Sequence, residues 1–313
     1  MVDPLAEVVS MLQPGAAFSK LVTASAPWAV QRSETGRPFY MAVIEGSCRL
    51  TVYGPGQADT MELAEGDFVL IPAARSFATS SMDRQPPRPD EVVGTRLTSV
   101  PGGVRIGDPE GAVDLRMLVG NCSFGSPDAA LLVSLLPQWL HVRGERRLST
   151  LLQLVGEESR SDRPARDIVM ARLLEVLLIE ALRSSAGTSA SRGLVKGLAD
   201  AKLSAALRCM HERPAEPWTV AQLAREAAMS RSAFFVRFTD AVGIAPMEYL
   251  MAWRMALAKQ LLRQHLLPMA GIAERVGYRS VSTFGVAFTR QVGVPPGRYA
   301  RSDAVSAAQY QAD

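Results

Sequence analysis

The sequence is poor in the residues that carry covalent and metal chemistry. Its 313 residues include three cysteines, Cys48, Cys122 and Cys209, and three histidines, His141, His211 and His265. The cysteines lie far apart with no Cys-x-x-Cys pair, which argues against a disulfide framework and a zinc ribbon alike. There is no His-x-His, no G-x-S-x-G and no P-loop, so the usual oxygenase, hydrolase and nucleotide-binding constellations are missing. No stretch approaches about 20 apolar residues, and the N-terminal MVDPLAEVVS lacks the basic-then-apolar order of a secretion signal. The expectation is a cytoplasmic protein with no membrane, no metal and no cofactor.

What is present suits folded domains. Hydrophobic residues make up 48% and charged residues 21%, enough apolar material for sizeable cores, and the length suggests two domains. Net charge is only +3, but it is unevenly spread. From residue 196 onward 15 Lys and Arg face 9 Asp and Glu, against 19 and 22 before it. A polyanion partner is therefore expected at the C-terminal part, with a solvated basic face as the alternative reading.

The most informative pattern is an internal repeat, shifted by about 49 to 50 residues. LAREAAMSRSAFFVRFTDAVGIAPMEY, from Leu223, matches IAERVGYRSVSTFGVAFTRQVGVPPGRY, from Ile272. Leu223 pairs with Ile272, Ala224 with Ala273, Ser230 with Ser280, Phe234 with Phe284, and Phe238 with Phe288. Gly243 and Gly293, Pro246 and Pro296, and Tyr249 and Tyr299 complete the set. Thr219 and Gln222 form a capping box that starts a helix, and Ser230 caps a second one. In the other copy Pro268 suits a first helical turn, and Gly277 ends that helix before Ser280 starts the next. The paired phenylalanines sit four apart and form a core stripe, and Gly243 and Gly293 stop their helices. Two helix-turn-helix units result, joined by a continuous helix over Met247 to Gln264 about 27 Å long, which can set two recognition helices about one DNA turn apart.

These residues resemble the AraC/XylS transcription regulators over about 196–302, and GYRSVSTFGVAFTRQVGVPPGRY resembles the family's signature segment. The groove face of each recognition helix lies opposite the phenylalanine stripe. It selects Arg231, Ser232, Phe235, Val236 and Thr239 in the first unit, and Val281, Ser282, Gly285, Val286 and Thr289 in the second. The resemblance implies base contacts at Ser232, Phe235, Val236, Ser282 and Val286, and Arg231 joins them as a candidate. Val286 stands where relatives commonly carry a polar or basic residue. An apolar group there touches thymine methyls but makes no bidentate base contact. Arg237, Arg254, Arg279, Arg290 and Arg298 are candidate phosphate contacts.

In the N-terminal part the runs FYMAVIEG, CRLTVYG, DFVLIPA and VDLRMLVG, punctuated by Gly, Pro and Asp, read as short strands of a β-barrel or sandwich. GDFVLIPAARSF resembles the second half-motif of cupins, which makes the whole chain similar to AraC-type regulators with an N-terminal cupin-like sensor. Metal-dependent cupins place histidines in both half-motifs, yet no histidine falls here and Arg75-Ser76-Phe77 stands where one often does. The barrel is therefore expected to hold a small-molecule effector, with Trp28, Tyr40, Tyr53 and Phe77 as candidate lining. A redox alternative uses Cys48 and Cys122 as neighbours across the barrel. Residues 83–111 are rich in Pro and Gly and read as a long loop able to gate a pocket. Helices are expected at Ala129 to Leu136, Leu148 to Ser159 and Arg166 to Ser184, the last too apolar for a simple surface helix. In relatives such helices dimerise, with burial inside the domain as the alternative.

The expected fold class is thus α+β multidomain: a cupin-like β-barrel sensor over 1–125, a helical dimerisation layer over 126–185, a linker over 186–195, an all-α domain with two helix-turn-helix units over 196–302, and a tail over 303–313. The expected function is a sequence-specific transcription activator controlled by a small molecule, and not an enzyme. Its expected partners are double-stranded DNA, a second copy of itself and RNA polymerase. A cupin enzyme fused to a DNA anchor is the further alternative.

Overall fold

The computed structural model describes residues 3–34, 36–54, 57–88, 91, 95–101, 103–124, 129–133, 135–159, 162–184 and 193–301. Most of the expected linker and the whole of the expected tail lie outside these residues. The chain divides into two compact units. One comprises Leu12–Pro127 with Leu136–Ser191, and the other Met1–Met11, Asp128–Leu135 and Arg192–Asp313. The sequence reading groups residues 1–125 together, whereas the compact division sets the first eleven with the C-terminal helices.

The first unit is built on β1 (Pro14–Ser25), β2 (Ala29–Ser33), β3 (Phe39–Gly54), β4 (Gln57–Ala64), β5 (Phe68–Ile71), β6 (Ser76–Ser80), β7 (Leu97–Val100), β8 (Gly103–Gly107), β9 (Leu115–Phe124) and β10 (Leu140–Val142). They form one ten-stranded sheet whose main path runs β10-β5-β3-β9-β1-β8-β7. β3 curls it. Its first half pairs with β5 and β9, and its second half with β4 and β6. A bulge between Val43 and Glu45 adds one residue, so the inward side chains change from Phe39, Met41 and Val43 to Cys48, Leu50 and Val52. Gly46, at φ 84, follows the bulge, and a Cβ there would collide with the Asp114 carbonyl. The interior is apolar, filled by these residues with Val22, Trp28, Phe77, Ile106, Met117 and Val119.

Within 83–111, Leu97–Val100 and Gly103–Gly107 depart from the long-loop expectation. They form the β7–β8 hairpin, and β8 runs parallel to β1 from Leu21↔Gly103 to Ser25↔Gly107. Proline and glycine there punctuate a hairpin at the sheet edge, because GVRIG keeps enough β-branched character to pair. Two helices, α3 (Arg146–Ser159) and α4 (Arg166–Ser184), complete this unit; helices are numbered along the chain, the first two belonging to the other unit. α4 buries Met170, Leu174, Leu177, Leu178 and Leu182. It leaves Ile168, Val169 and Val176 exposed, so burial within the unit accounts for most but not all of its apolar surface.

The second unit is helical among its described residues: α1 (Pro4–Leu12, of which Leu12 falls to the first unit), α2 (Ala129–Val133), α5 (Leu194–Ala199), α6 (Ala201–Glu212), α7 (Val220–Glu226), α8 (Arg231–Val242), α9 (Pro246–Gln264), α10 (Met269–Arg275) and α11 (Val281–Val292). Thr219 and Gln222 make the capping box that opens α7. Ser230 and Ser280 cap α8 and α11, accepting from the N–H groups of Ala233 and Thr283. Gly243 and Gly293 close the same helices in the left-handed region, at φ 94 and 85. Pro268 stands just before the first turn of α10, as its N-cap.

Candidate nucleic-acid interface

The α7–α8 and α10–α11 pairs are built on one plan. In the first turn Ala228 adopts φ 49, with Met229 N–H donating to the Ala224 carbonyl at 2.9 Å. In the second, Gly277 adopts φ 82, with Tyr278 N–H donating to the Ala273 carbonyl at 2.8 Å. This is the same six-residue helix ending twice, and the extra residue before Ser280 explains the change of repeat shift from 49 to 50. Phe234 and Phe238 are 5.5 Å apart by ring centroid, as are Phe284 and Phe288. Tyr249 meets Phe238 edge-on at 5.9 Å and Tyr299 meets Phe288 at 5.6 Å. Each phenylalanine is fully buried, which fixes the opposite face of α8 and α11 outward.

That outward face carries the residues selected from sequence. Arg231, Ser232, Phe235 and Val236 are exposed on α8, and Val281, Ser282 and Val286 on α11, with Val286 71% exposed. Thr239 and Thr289 turn their hydroxyls back onto the Phe235 and Gly285 carbonyls, at 2.8 and 2.7 Å. Their hydroxyl protons are therefore already used within the helix.

The five arginines divide. Arg279, Arg290 and Arg298 are exposed. Arg237 is exposed too, but its Nε donates to Asp200 Oδ2 at 2.5 Å, and Asp200 also caps α6. Arg254 is partly buried on α9. Its Nε donates to the Pro214 carbonyl and its Nη2 to the Glu216 carbonyl, both at 2.7 Å. A Cβ on Gly277 would lie 2.8 Å from the same Nη2. Arg254 therefore ties the connecting helix to the segment before α7 and to the turn of the second pair. Beside the expected phosphate contact this gives Arg254 a structural role, because the Nε–Nη2 edge of its guanidinium is directed at backbone carbonyls inside the unit.

Sequence reasoning missed a buried polar cluster in the same unit. His211, with no exposed side chain, hydrogen-bonds through Nδ1 with Glu7 Oε2 at 2.8 Å and through Nε2 with Tyr249 Oη at 2.7 Å. Its ring stacks on Trp253 at 3.9 Å. Burial holds His211 below the ordinary imidazole range, against the raising effect of Glu7, and pushes Tyr249 above the usual phenol range. A lone histidine on an amphipathic helix gives no sign of a partner 204 residues away.

In the sheet unit, an inner cavity of about 230 Å³ is lined by Phe39, Met41, Phe77, Val104, Ile106, Met117 and other residues. Of the four aromatics proposed from sequence, only Phe77 lines it. Trp28 is packed into the core, Tyr40 points to the opposite face from Phe39 and Met41, and the Tyr53 hydroxyl donates to the Pro87 carbonyl. Lys20 and Arg32 also line the cavity and were missed. The signal was parity: Lys20 keeps step with inward Val22 and Ala24, and Arg32 with Trp28 and Val30. Metal-dependent cupins need imidazoles at such a place. This lining offers hydrocarbon, the Thr79 and Ser99 hydroxyls and two cations, with no imidazole or carboxylate among its described residues, which does not fit a metal ion.

The redox pair is not assembled. Cys48 faces the interior, whereas Cys122 shares the parity of Leu118 and Gly120, opposite to inward Met117 and Val119. β9 pairs with the start of β3 around Phe39, and Cys48 lies nine residues further along β3. The two are free thiols, and burial pushes both up to about 12. Neither is poised as a thiolate.

A curled sheet around an apolar cavity, and a helical unit with a duplicated, capped helix pair and a basic excess, together define a two-domain DNA-binding regulator. Comparison with known proteins agrees. A family model described as Cupin matches residues 3–187, and one described as Helix-turn-helix domain matches 223–302. An AraC-like transcription regulator of Streptomyces lividans is 35% identical over 95% of this chain and 97% of its own. A counterpart in Streptomyces antibioticus is likewise 35% identical, over 95% and 98%. The regulator AlkR of Acinetobacter baylyi is 31% identical over 82% and 85%. The chain belongs to the AraC family of DNA-binding transcription regulators and carries a cupin domain at its N-terminal side.

Proposed function

We propose that this regulator reads DNA with both helix pairs, α8 and α11 each entering the major groove as the second helix of a helix-turn-helix. The carrying observation is the duplicated geometry: buried phenylalanine stripes turn Arg231, Ser232, Phe235 and Val236, and Ser282 and Val286, to the same kind of exposed face. The 19 residues of α9, at about 1.5 Å each, give a spacer near 28 Å, close to one duplex turn of about 34 Å. Specific hydrogen bonding falls to Arg231, Ser232 and Ser282, while Phe235, Val236 and Val286 supply apolar contact with thymine methyls. Arg279, Arg290 and Arg298 take the phosphates, with Arg237 available when Asp200 releases it.

The cupin domain serves as a non-catalytic sensor whose inner cavity takes a small effector. The exposed Ile168, Val169 and Val176 of α4 support pairing with a second copy, which would present two DNA-reading modules to repeated half-sites. On promoter DNA the regulator acts as an activator that engages RNA polymerase. The test is binding of Arg231→Ala and Ser232→Ala to a cognate and a random duplex at fixed salt. Loss of about 1–3 kcal/mol on the cognate site alone is expected. Equal loss on both duplexes would refute base reading by these residues.

A further inference from the structure

A second cavity of the sheet unit, about 460 Å³ in volume, lies between α3 and the outer face of the sheet. Its floor is one row across five strands: Leu21 pairs with Leu118, Leu118 with Ala42, Ala42 with Phe68, and Phe68 with Val142. Its roof is the face of α3 that carries Leu148, Leu152 and Gly156, successive positions four residues apart. At one end the β4–β5 turn meets the start of α3, where the Gly144 N–H donates to the Gly66 carbonyl at 3.3 Å. This contact brings Glu65, Asp67 and Glu145 to the same end of the cavity. We infer that the cavity takes an organic cation with an apolar body, a lipophilic amine or quaternary ammonium compound. Its head lies between Glu65 and Glu145, and its hydrocarbon runs beneath Leu152 toward Leu118. The site is separate from the inner cavity and does not depend on that cavity being the effector site.

Three observations support it. First, the volume falls within the roughly 300–1,000 Å³ of small-molecule sites. Gly156 helps to keep that space open: a Cβ there would already stand 3.7 Å from the Leu118 methyl carbons, so a longer side chain would occupy the cavity. Secondly, apolar surface is left uncovered, since Ile44 lines the cavity and is 45% exposed. A hydrocarbon body would remove it from water. Thirdly, every charged residue of the lining, among the described residues, is acidic: Glu65, Asp67, Glu145 and Glu157. Asp67 Oδ2 is engaged within the unit, accepting from the Ala64 N–H at 3.2 Å and meeting His141 Nε2 at 2.9 Å and Arg143 Nε at 3.8 Å. Glu145 accepts the Arg147 N–H at 3.3 Å, while the Arg147 guanidinium turns to Glu180. Glu65 and Glu157 are exposed. A carboxylate ligand would meet like charge along this lining, and a neutral one would leave its acidic end unused.

The test uses the full-length protein and three probes of matched body, octylamine, octan-1-ol and octanoate, with affinity measured by calorimetry at neutral pH and low salt. Octylamine is expected to bind about five- to tenfold more tightly than the alcohol, the effect of one or two solvent-exposed charge pairs, and octanoate more weakly than either. The advantage of the amine should shrink at high salt, because exposed charges are screened. In the double variant Glu65→Gln with Glu145→Gln it should fall to within about twofold while alcohol binding persists. Gly156→Leu, which fills the cavity, should abolish binding of amine and alcohol. Circular dichroism establishes folding, and Ser149→Trp, at an exposed lining position, makes the same test if Gly156→Leu does not fold. Equal affinity for amine and alcohol, tighter binding of octanoate, or an amine preference that survives the double variant overturns the cation site. Binding of no probe, or binding that the filling variants leave intact, overturns this cavity as a ligand site. Loss of amine binding in Val104→Trp alone would put the amine in the inner cavity and overturn the outer site, with the inner cavity still standing as the effector site.

Discussion

Arg254 offers the sharpest test, because two roles for it predict opposite results. As a clamp, its guanidinium makes two hydrogen bonds of 2.7 Å to the Pro214 and Glu216 carbonyls and sits against Gly277. Hydrogen bonds from a charged donor are each worth about 1.5–3 kcal/mol. The residue is only partly buried, so water reaches some of the freed carbonyls, and Arg254→Met is expected to cost about 2–4 kcal/mol. For a helical unit of this size that corresponds to a fall in Tm of roughly 8–16 °C. Arg254→Lys keeps the charge but not the planar fork, so it should lose most of the same stability. The assay is thermal unfolding followed by circular dichroism, paired with the salt dependence of DNA binding by fluorescence anisotropy. A clamp leaves the slope of log K against log salt unchanged once the variant is folded. The reasoning fails if Arg254→Met is as stable as wild type and the slope drops by about one, the mark of a lost phosphate contact.

Two further predictions concern buried groups. His211 is held below its ordinary value of 6.5, so its contribution to stability is fully present above pH 6.5. It is lost as pH falls through the lower folded value, because the unfolded imidazole takes up a proton that the folded one resists. Tm of the wild type should therefore fall more steeply than that of His211→Gln between pH 7.5 and 5.5; parallel profiles would contradict this. For the thiols, burial pushes both Cys48 and Cys122 up to about 12, so at pH 8 the native protein should resist alkylation at both, and denaturant should expose them. Mass spectrometry reads this directly, and a Cys48–Cys122 disulfide formed by mild oxidant in the folded protein would restore the redox reading.

Much of the helical unit is determined by the sequence itself, because its cues are local. The capping box at Thr219 and Gln222, the Ser230 and Ser280 caps, the stopping glycines and the i,i+4 phenylalanines each act within a turn or two of chain. Repeated at a fixed spacing, they locate the exposed face of α8 and α11 without any long-range information. Strand content in the N-terminal half was similarly legible from alternation, and the absence of histidine there followed from composition.

Contacts between residues distant in sequence were decided only by tertiary structure. Whether Cys48 and Cys122 share a face depends on one bulged residue in β3, a parity change that composition does not reveal. The hairpin within 83–111 pairs because β1 offers it a partner edge. The side-chain direction of Tyr40, the bond from Glu7 to His211 and the fork of Arg254 likewise depend on elements brought together by folding. The sequence marks which positions are apolar, capped or charged. Only the folded chain decides which charges meet a carbonyl, a carboxylate or an open cavity, since those energies depend on distance and burial.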